Sequence, residues 1–231
     1  MDDFWHLHNF DWLSELSARE TERLRRQSVQ RQYRVAEMIF TPSPHPHSVY
    51  LLERGLVRIY RVSSSGTETT FGYVRAGEIF GELAVFLHEP RESFAKAVRA
   101  SFVWQLKREA IREVLAAHPG IVVAITKQVG SRLKRIESRV EQLVFRPVQS
   151  RVAKILLELA SDFGRPEPPG LLIDFAVSQE ELATLVGASR QTVNASLRQL
   201  ERAGLIRRDG RRFLLLNADE LRRSTDSARR G

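Results

Sequence analysis

The stretch VSQEELATLVGASRQTVNASLRQLERAGLI, residues 177–206, carries the signals of two short helices joined by a tight turn. Ser178 is followed three residues later by a glutamate, which is the pattern of a capping box at a helix start. Gly187 can adopt the left-handed conformation at which a helix ends sharply, and Ser189 is suited to cap the next helix. The spacing therefore predicts a helix-turn-helix at about residues 178–202.

The second of these helices has one apolar and one polar face. Val193, Leu197 and Leu200 recur at intervals of four and three residues, which predicts a buried face. Arginine suits guanine, and glutamine or asparagine suits adenine, at the start of a helix that lies in the major groove. We therefore expect this motif to bind double-stranded DNA. The residues expected to contact DNA are Ser178, Ser189, Arg190, Gln191, Thr192, Asn194 and Arg198.

The segment LIRRDGRRFLLL, residues 205–216, follows directly and predicts a β-hairpin. Asp209-Gly210 between two apolar runs favours a two-residue turn, because such turns need positive φ angles. A hairpin beside a recognition helix is typical of a wing. Arginines on a wing are expected to contact phosphates, which adds affinity and salt dependence without direct sequence readout. The arginines concerned are Arg207, Arg208, Arg211 and Arg212.

Composition limits the other function classes. The 231 residues carry a formal net charge of +8, which favours a polyanionic partner, and they include no cysteine. The lack of cysteine excludes disulfides, thiolate zinc sites and cysteine-ligated iron–sulfur clusters. No run of about 18 apolar residues is present, so we expect no membrane span, and the acidic N-terminus leads us to expect a cytoplasmic protein. Without a P-loop, nucleophile elbow or zinc motif, we expect no enzyme.

Upstream of residue 119, the hydrophobic pattern of the chain predicts first helix and then strands. Residues 12–30 predict one or two amphipathic helices. Residues 35–108 alternate short apolar stretches with glycines, which predicts an antiparallel sandwich or barrel.

From Val122 the apolar positions fall into heptads, which favours a parallel two-stranded coiled coil and therefore a homodimer. The alternative is a single helix that lies along the protein's own sheet. The expected interface residues are Val122, Val129, Leu133, Ile136, Val140 and Leu143. Arg146-Pro147 ends this helix, so the expected domains are residues 1–118 (a sensor with N-terminal helices), 119–145 (a dimerisation helix) and 146–231 (a DNA-binding domain).

The stretch at residues 177–206 resembles the winged helix-turn-helix of the Crp/Fnr family of bacterial regulators. LLERGLVRIYRV (51–62) and GEIFGELAVFLHEPR (77–91) are similar to the cyclic-nucleotide-binding-type β-roll of that family. The resemblance implies an α+β fold with an N-terminal β-roll (jelly roll), a long dimerisation helix and a C-terminal winged helix-turn-helix. It also implies a transcription regulator that binds a two-fold related DNA site as a homodimer and recruits or blocks RNA polymerase.

The preferred DNA sequence is expected to differ from that of other members. Gln191 stands where the family often has a glutamate, which replaces an acceptor for cytosine by a group better suited to adenine. Ala195 stands where some members have an arginine that contacts bases.

The resemblance also implies a possible effector site in the roll. Nucleotide-binding members hold the ribose with a glutamate and the cyclic phosphate with an arginine followed by a serine or threonine. Glu82 and Arg91 match these residues, although an ion pair that holds the loop is an equally open interpretation. Glu92 follows Arg91, and a carboxylate there is expected to repel a phosphate. The candidate effector residues are Gly81, Glu82, Leu83, Ala84, Arg91 and Ser93.

The two positions that bind adenine in members activated by cyclic AMP are Ile136 and Glu137 here, so two of the four chemical features are missing. We therefore predict no cofactor and an unidentified effector, with a cyclic nucleotide as an open alternative. A sensor of cyclic nucleotides whose partners are not DNA is the alternative function. His88 as a haem ligand, and the pairs His6/His8 and His45/His47 as metal ligands, are interpreted as incidental, so no metal site is predicted.

Overall fold

The computed structural model describes residues 15–226, which form two compact units. The first unit contains residues 15–62 and 71–133, and the second contains residues 63–70 and 134–226. The division falls inside a long helix, after Leu133. The three predicted domain ranges place that helix in a segment of its own.

The first unit combines strands with helices. Its elements, including β5 and the long helix α4, which are each divided between the two units, are α1 (Ala18–Arg26), β1 (Ser28–Tyr33), β2 (Met38–Phe40), β3 (Ser48–Arg54), β4 (Val57–Val62), β5 (Glu68–Val74), β6 (Ile79–Phe80), α2 (Glu82–Phe86), β7 (Phe94–Ala97), β8 (Ser101–Lys107), α3 (Arg108–Ala117) and α4 (Pro119–Phe145). The strands form two four-stranded sheets, ordered β1-β8-β3-β6 and β2-β7-β4-β5. The antiparallel sandwich predicted for this part of the chain is confirmed.

Strand β3 shows why the two sheets pack together. Its residues alternate between two hydrophobic clusters: Val49 and Leu51 belong to one, while Tyr50 and Leu52 belong to the other. Successive side chains of a strand point to opposite faces. Because all four are buried, β3 has apolar neighbours on both faces. One cluster lies between the sheets, and the other lies where the helices α1, α3 and α4 cover the first sheet.

The prediction of helix across residues 12–30 is wrong at its C-terminal end. Helix α1 ends at Arg26, and β1 begins at Ser28. Strand β1 pairs with β8 along its whole length, from Ser28 opposite Leu106 to Tyr33 opposite Ser101. These hydrogen bonds to a strand some 70 residues away override the local helical pattern. Residues 12–14 lie outside the described part of the chain.

The second unit contains the C-terminal part of α4 and the remaining elements. These are α5 (Val148–Phe163), β9 (Gly164–Glu167), β10 (Gly170–Ile173), α6 (Gln179–Val186), α7 (Arg190–Arg202), β11 (Ile206–Asp209), β12 (Arg212–Leu215) and α8 (Ala218–Asp226). The four strands form one sheet in the order β11-β12-β10-β9. The proline-rich stretch at residues 164–170 contains β9, which is an edge strand, the position in a sheet where proline is tolerated.

Two local predictions for this unit are tested directly. Ser178 and Glu181 form the predicted capping box, and Gly187 ends α6 with φ of +68°. The hairpin turn lies one residue later than predicted. Asp209 pairs with Arg212, so the two loop residues are Gly210 and Arg211. Gly210 supplies the positive φ that the first loop position needs.

Gly55 connects β3 to β4 and offers a test of the sandwich. Its φ is +110°, and a Cβ atom there would lie 2.7 Å from the carbonyl oxygen of Ala100. We expect Gly55→Ala to lower the free energy of unfolding by about 3 kcal/mol, because backbone strain and a clash with backbone atoms add.

Gly66→Ala is the matched control for this prediction. Gly66 also has a positive φ of +83°, but a Cβ there meets nothing within 4 Å. It should cost only about 1 kcal/mol. Denaturant unfolding of both variants measures the difference, and equal losses would contradict the predicted clash.

Candidate nucleic-acid interface and effector site

Helix α7 is held in place by its apolar side. Val193, Leu197 and Leu200 are buried, together with Leu182 and Val186 of α6. The same periodicity leaves the opposite side of α7 to solvent. Gln191, Ala195, Arg198 and Arg202 are exposed and lie on that side. We call this set the outer face of α7.

Arg190 and Asn194 lie at the edge of the outer face, beside α6. Arg190 donates from Nε to Oε1 of Gln179 at 3.2 Å, and Asn194 donates from Nδ2 to the same oxygen at 2.8 Å. Asn194 is partly buried, and its Oδ1 is buried without a hydrogen-bond partner in the described residues. Sequence reasoning missed Gln179, because a polar residue at the start of a helix has no feature that marks it as a partner of the next helix.

The two capping serines and Thr192 stand at the N-termini of the two helices. The hydroxyl oxygen of Ser178 accepts the backbone N–H of Glu181, and that of Ser189 accepts the backbone N–H of Thr192. The Ser189 and Thr192 hydroxyls lie 2.8 Å apart. Each serine therefore caps a helix, and its contact with DNA stays a prediction.

Two of the four arginines of the wing bind a carboxylate of the protein, and the other two do not. Arg208 donates to Glu201 of α7 at 2.7 Å, and Arg212 donates to Asp209 at 2.6 Å. Arg207 and Arg211 are exposed. Neither side chain has an ion-pair or hydrogen-bond partner among residues 15–226. All guanidinium donors of these two arginines are therefore available to a ligand.

The Glu201–Arg208 pair joins the wing to α7 and makes stability depend on pH. Hydrogen bonding to Arg208 lowers the pKa of the Glu201 carboxyl. A carboxyl with a lowered pKa stabilises the fold above its ordinary pKa of about 4.3, and this contribution is lost as the pH falls through the lowered value.

We expect Glu201→Gln to lower the free energy of unfolding by about 1 kcal/mol at neutral pH, because the pair is largely shielded from solvent. The difference from the wild type should shrink below about pH 4. Thermal unfolding across this range measures it. Arg222→Gln, which removes an exposed pair with Asp219, is the control and should change little. A difference that is constant with pH would contradict the ionic contribution.

In the β-roll, Glu82 is paired with an arginine of α4 and not with Arg91. The carboxylate of Glu82 is buried and accepts from Nη1 of Arg132 at 3.2 Å. Arg132 also donates from Nη2 to the carbonyl oxygen of Ile79 at 2.6 Å. The structure therefore does not form the Glu82–Arg91 ion pair of that interpretation, and Oε1 of Glu82 accepts from Arg132 instead.

Arg91 is buried among backbone carbonyls and aromatic rings. Its Nη2 donates to the carbonyl oxygens of Ser48 and Gly81 at 2.8 and 2.9 Å. The guanidinium lies 4.1 Å from the ring centre of Phe40 and 5.3 Å from that of Tyr50. Burial lowers the pKa of Arg91 from its ordinary value. Its Nε is buried and lacks a hydrogen-bond partner within the described chain.

The other candidate effector residues have different surroundings. Gly81 caps α2 in the left-handed conformation, and Leu83 is exposed. Ala84 and Ser93 are partly buried. Glu92, expected to repel a phosphate beside Arg91, is exposed and forms an ion pair with Arg61 at 2.6 Å. The repulsion of a phosphate by Glu92 stays a prediction.

Comparisons with known proteins agree in both halves of the chain. Residues 30–118 match the model of the cyclic nucleotide-binding domain, and residues 150–224 match that of the Crp-like helix-turn-helix domain. A CRP-like cAMP-activated global transcriptional regulator of Mycobacterium tuberculosis is 34% identical over 80% of this chain and 83% of its own. The chain belongs to the Crp/Fnr family. The predicted fold class and the predicted function as a DNA-binding transcription regulator are thereby confirmed.

Other Crp/Fnr relatives are similar over most of their length. The global nitrogen regulator of Synechococcus elongatus is 31% identical over 80% of this chain and 85% of its own. A Crp/Fnr-family regulator of Thermus thermophilus has a TM-score of 0.74 and 26% identity, with 87% of this chain and all of that chain covered. A c-di-GMP-responsive global regulator of Xanthomonas campestris has a TM-score of 0.75 and 26% identity over 86% and 99% of the two chains. The names of these relatives refer to different signals, so family membership alone does not identify an effector.

In this Crp/Fnr roll, the two residues that match the family's ribose and phosphate contacts have partners within the protein. Oε1 of Glu82 accepts from Arg132, and Nη2 of Arg91 donates to two carbonyl oxygens. Ile136 and Glu137 provide no neutral hydroxyl for adenine. The Nε of Arg91 is one guanidinium donor that has no acceptor among the described residues.

We expect calorimetric titration of cyclic AMP into the full chain to give no heat of binding, because a nucleotide would have to displace these internal hydrogen bonds. The Mycobacterium tuberculosis relative, named as cAMP-activated, is the positive control. Saturable binding by this chain at concentrations that saturate the relative would contradict the prediction.

The structure adds two findings on metals and membranes. Within residues 15–226, no group of three or more histidine, aspartate or glutamate side chains is placed to hold a metal ion. The pair His6/His8 lies outside the described residues. Among the described helices, none has the length and apolar character needed to cross a membrane.

Proposed function

We propose that this Crp/Fnr regulator binds a two-fold related site on double-stranded DNA as a homodimer, with one α7 in the major groove of each half-site. The observation that carries the proposal is the outer face of α7. Its polar side chains are exposed, while the opposite face is fixed by burial. Gln191 and Arg198 are the direct base readers that this geometry supports, and Arg190 keeps its terminal amino groups for guanine.

The apolar stripe of α4 supports the homodimer. Leu133, Ile136, Val140 and Leu143 follow the heptad pattern and are 38–55% exposed. Exposed apolar stripes of this kind mark surfaces that a partner covers. Towards the N-terminal end of α4, Val129 packs partly against the core of the first unit, and Val122 is exposed. The second copy is therefore proposed to cover the stripe mainly from Leu133 onward.

The wing supplies affinity in this proposal. Arg207 and Arg211 are exposed and have all their donors available, so they neutralise phosphates. Arg208 and Arg212 act mainly to shape the wing, because each already binds a carboxylate.

RNA polymerase is the proposed further partner, and contact with chromosomal DNA implies a cytoplasmic location. The proposed effector is a small molecule with a hydrogen-bond acceptor for Nε of Arg91.

The test is selection of preferred sites by the full chain from a random double-stranded library, with and without a pool of small molecules from cell extract. We expect two symmetry-related half-sites whose centres lie about one helical turn apart. Affinity should fall steeply as salt increases. Arg211→Ala should weaken binding to all sequences and reduce the salt slope by about one, because one phosphate contact is lost.

Arg25→Ala is the matched control, since it removes the same charge from an exposed position on α1. It should leave the salt slope unchanged. Binding without sequence preference or salt dependence would contradict the proposed function and favour a sensor with partners other than DNA. Selection of single half-sites would contradict the homodimer.

A further inference from the structure

One glutamine connects the two helices of the DNA-binding motif. Gln179 is the first residue of α6, and its Oε1 accepts from Nε of Arg190 and from Nδ2 of Asn194, both on α7. All three side chains lie on the side of the motif that carries the candidate base readers. The sequence alone does not mark Gln179 as a candidate DNA contact.

The hydrogen bonds determine which way each amide points. Arginine has donors only, so Gln179 must present its oxygen to Arg190. With that oxygen also facing Asn194, the asparagine must present its Nδ2. The Oδ1 of Asn194 is then turned away, and it is buried without a hydrogen-bond partner among residues 15–226. The orientation of both amides therefore follows from the single donor Nε of Arg190.

This arrangement gives Arg190 and Asn194 different abilities. With Nε held by Gln179, Arg190 keeps Nη1 and Nη2, the two donors that reach O6 and N7 of guanine end-on. Its rotamer freedom is reduced before DNA binds, which lowers the entropic cost of the contact. Asn194 cannot pair with adenine through both amide atoms, because one amide hydrogen is used and its oxygen is buried.

We propose that Gln179 is a specificity-determining positioning residue that holds Arg190 ready to read one guanine and makes Asn194 a support for this arrangement. The inference rests on the proposed binding of a specific DNA site. It adds Gln179 of α6 to the residues that determine DNA sequence preference. It also assigns Asn194 to holding Gln179 in place instead of contacting a base.

The test compares the sites selected from a random double-stranded library by the full-length wild type and its variants. Arg190→Ala first identifies the base pair that Arg190 reads. We expect Gln179→Ala to weaken discrimination at that base pair by about tenfold, which is within the range of one bidentate contact. Preferences elsewhere and the salt slope should stay unchanged. The double variant should lose no more at that base pair than Arg190→Ala alone.

Three further variants separate positioning from other roles. Gln179→Glu keeps the acceptor oxygen, so it should retain the preference while its negative charge lowers affinity for all sequences. Asn194→Ala should weaken the same base pair and remove no preference for adenine. Gln199→Ala, an exposed glutamine on α7, is the matched control and should select the same sites as the wild type. Thermal unfolding of each variant confirms that it is folded.

Any of the following results would overturn the inference. A uniform loss of affinity in Gln179→Ala, with a salt slope lower by about one, would make Gln179 a phosphate contact. Additive losses in the double variant would show that the two residues act independently. A separate adenine preference lost in Asn194→Ala would make Asn194 a reader. If the wild type selects no site, both the proposed function and this inference are wrong. If Gln179→Ala selects the same sites as the wild type, only the inference is wrong.

Discussion

Burial of one face of α7 is the constraint on which the DNA-binding unit depends. Val193, Leu197 and Leu200 are almost completely buried, so rotation of the helix about its axis would expose them and bury polar side chains in their place. Both changes are costly. The outer face is therefore set by packing, and its polar residues keep their positions without contributing to that packing. Capping at Ser178 and Ser189 determines where the two helices begin, and thus which residues stand at their N-terminal ends.

The second unit uses its charged residues in two ways. Some are paired within the protein, as Arg208 is with Glu201, and these pairs shape the wing and connect it to α7. Others, such as Arg207 and Arg211, are exposed and keep their donors. A count of arginines treats both groups alike, but only the second group can bind phosphate without breaking an internal contact.

In the β-roll, two residues that match the family's ligand contacts bind other groups of the protein. Glu82 and Arg91 stand at the positions that hold ribose and cyclic phosphate in nucleotide-binding members of the Crp/Fnr family. Here Arg132 binds the first, and the carbonyl oxygens of Ser48 and Gly81, with the ring of Phe40, surround the second. A match to the cyclic nucleotide-binding domain therefore shows the fold of the roll, and the identity of the effector depends on these side-chain contacts.

The sequence by itself determined the features that depend on local chemistry. The capping box at Ser178, the helix end at Gly187 and the apolar spacing of α7 each involve residues a few positions apart, so their signals lie within one stretch of chain. The predicted sandwich also follows from local alternation and turn glycines. Only the tertiary structure decided that residues from Ser28 form a strand, that Arg132 binds Glu82, and that Gln179 binds both Arg190 and Asn194. These outcomes join residues 11 to about 75 positions apart, and their partners are selected by proximity in the folded chain, which composition and periodicity do not encode.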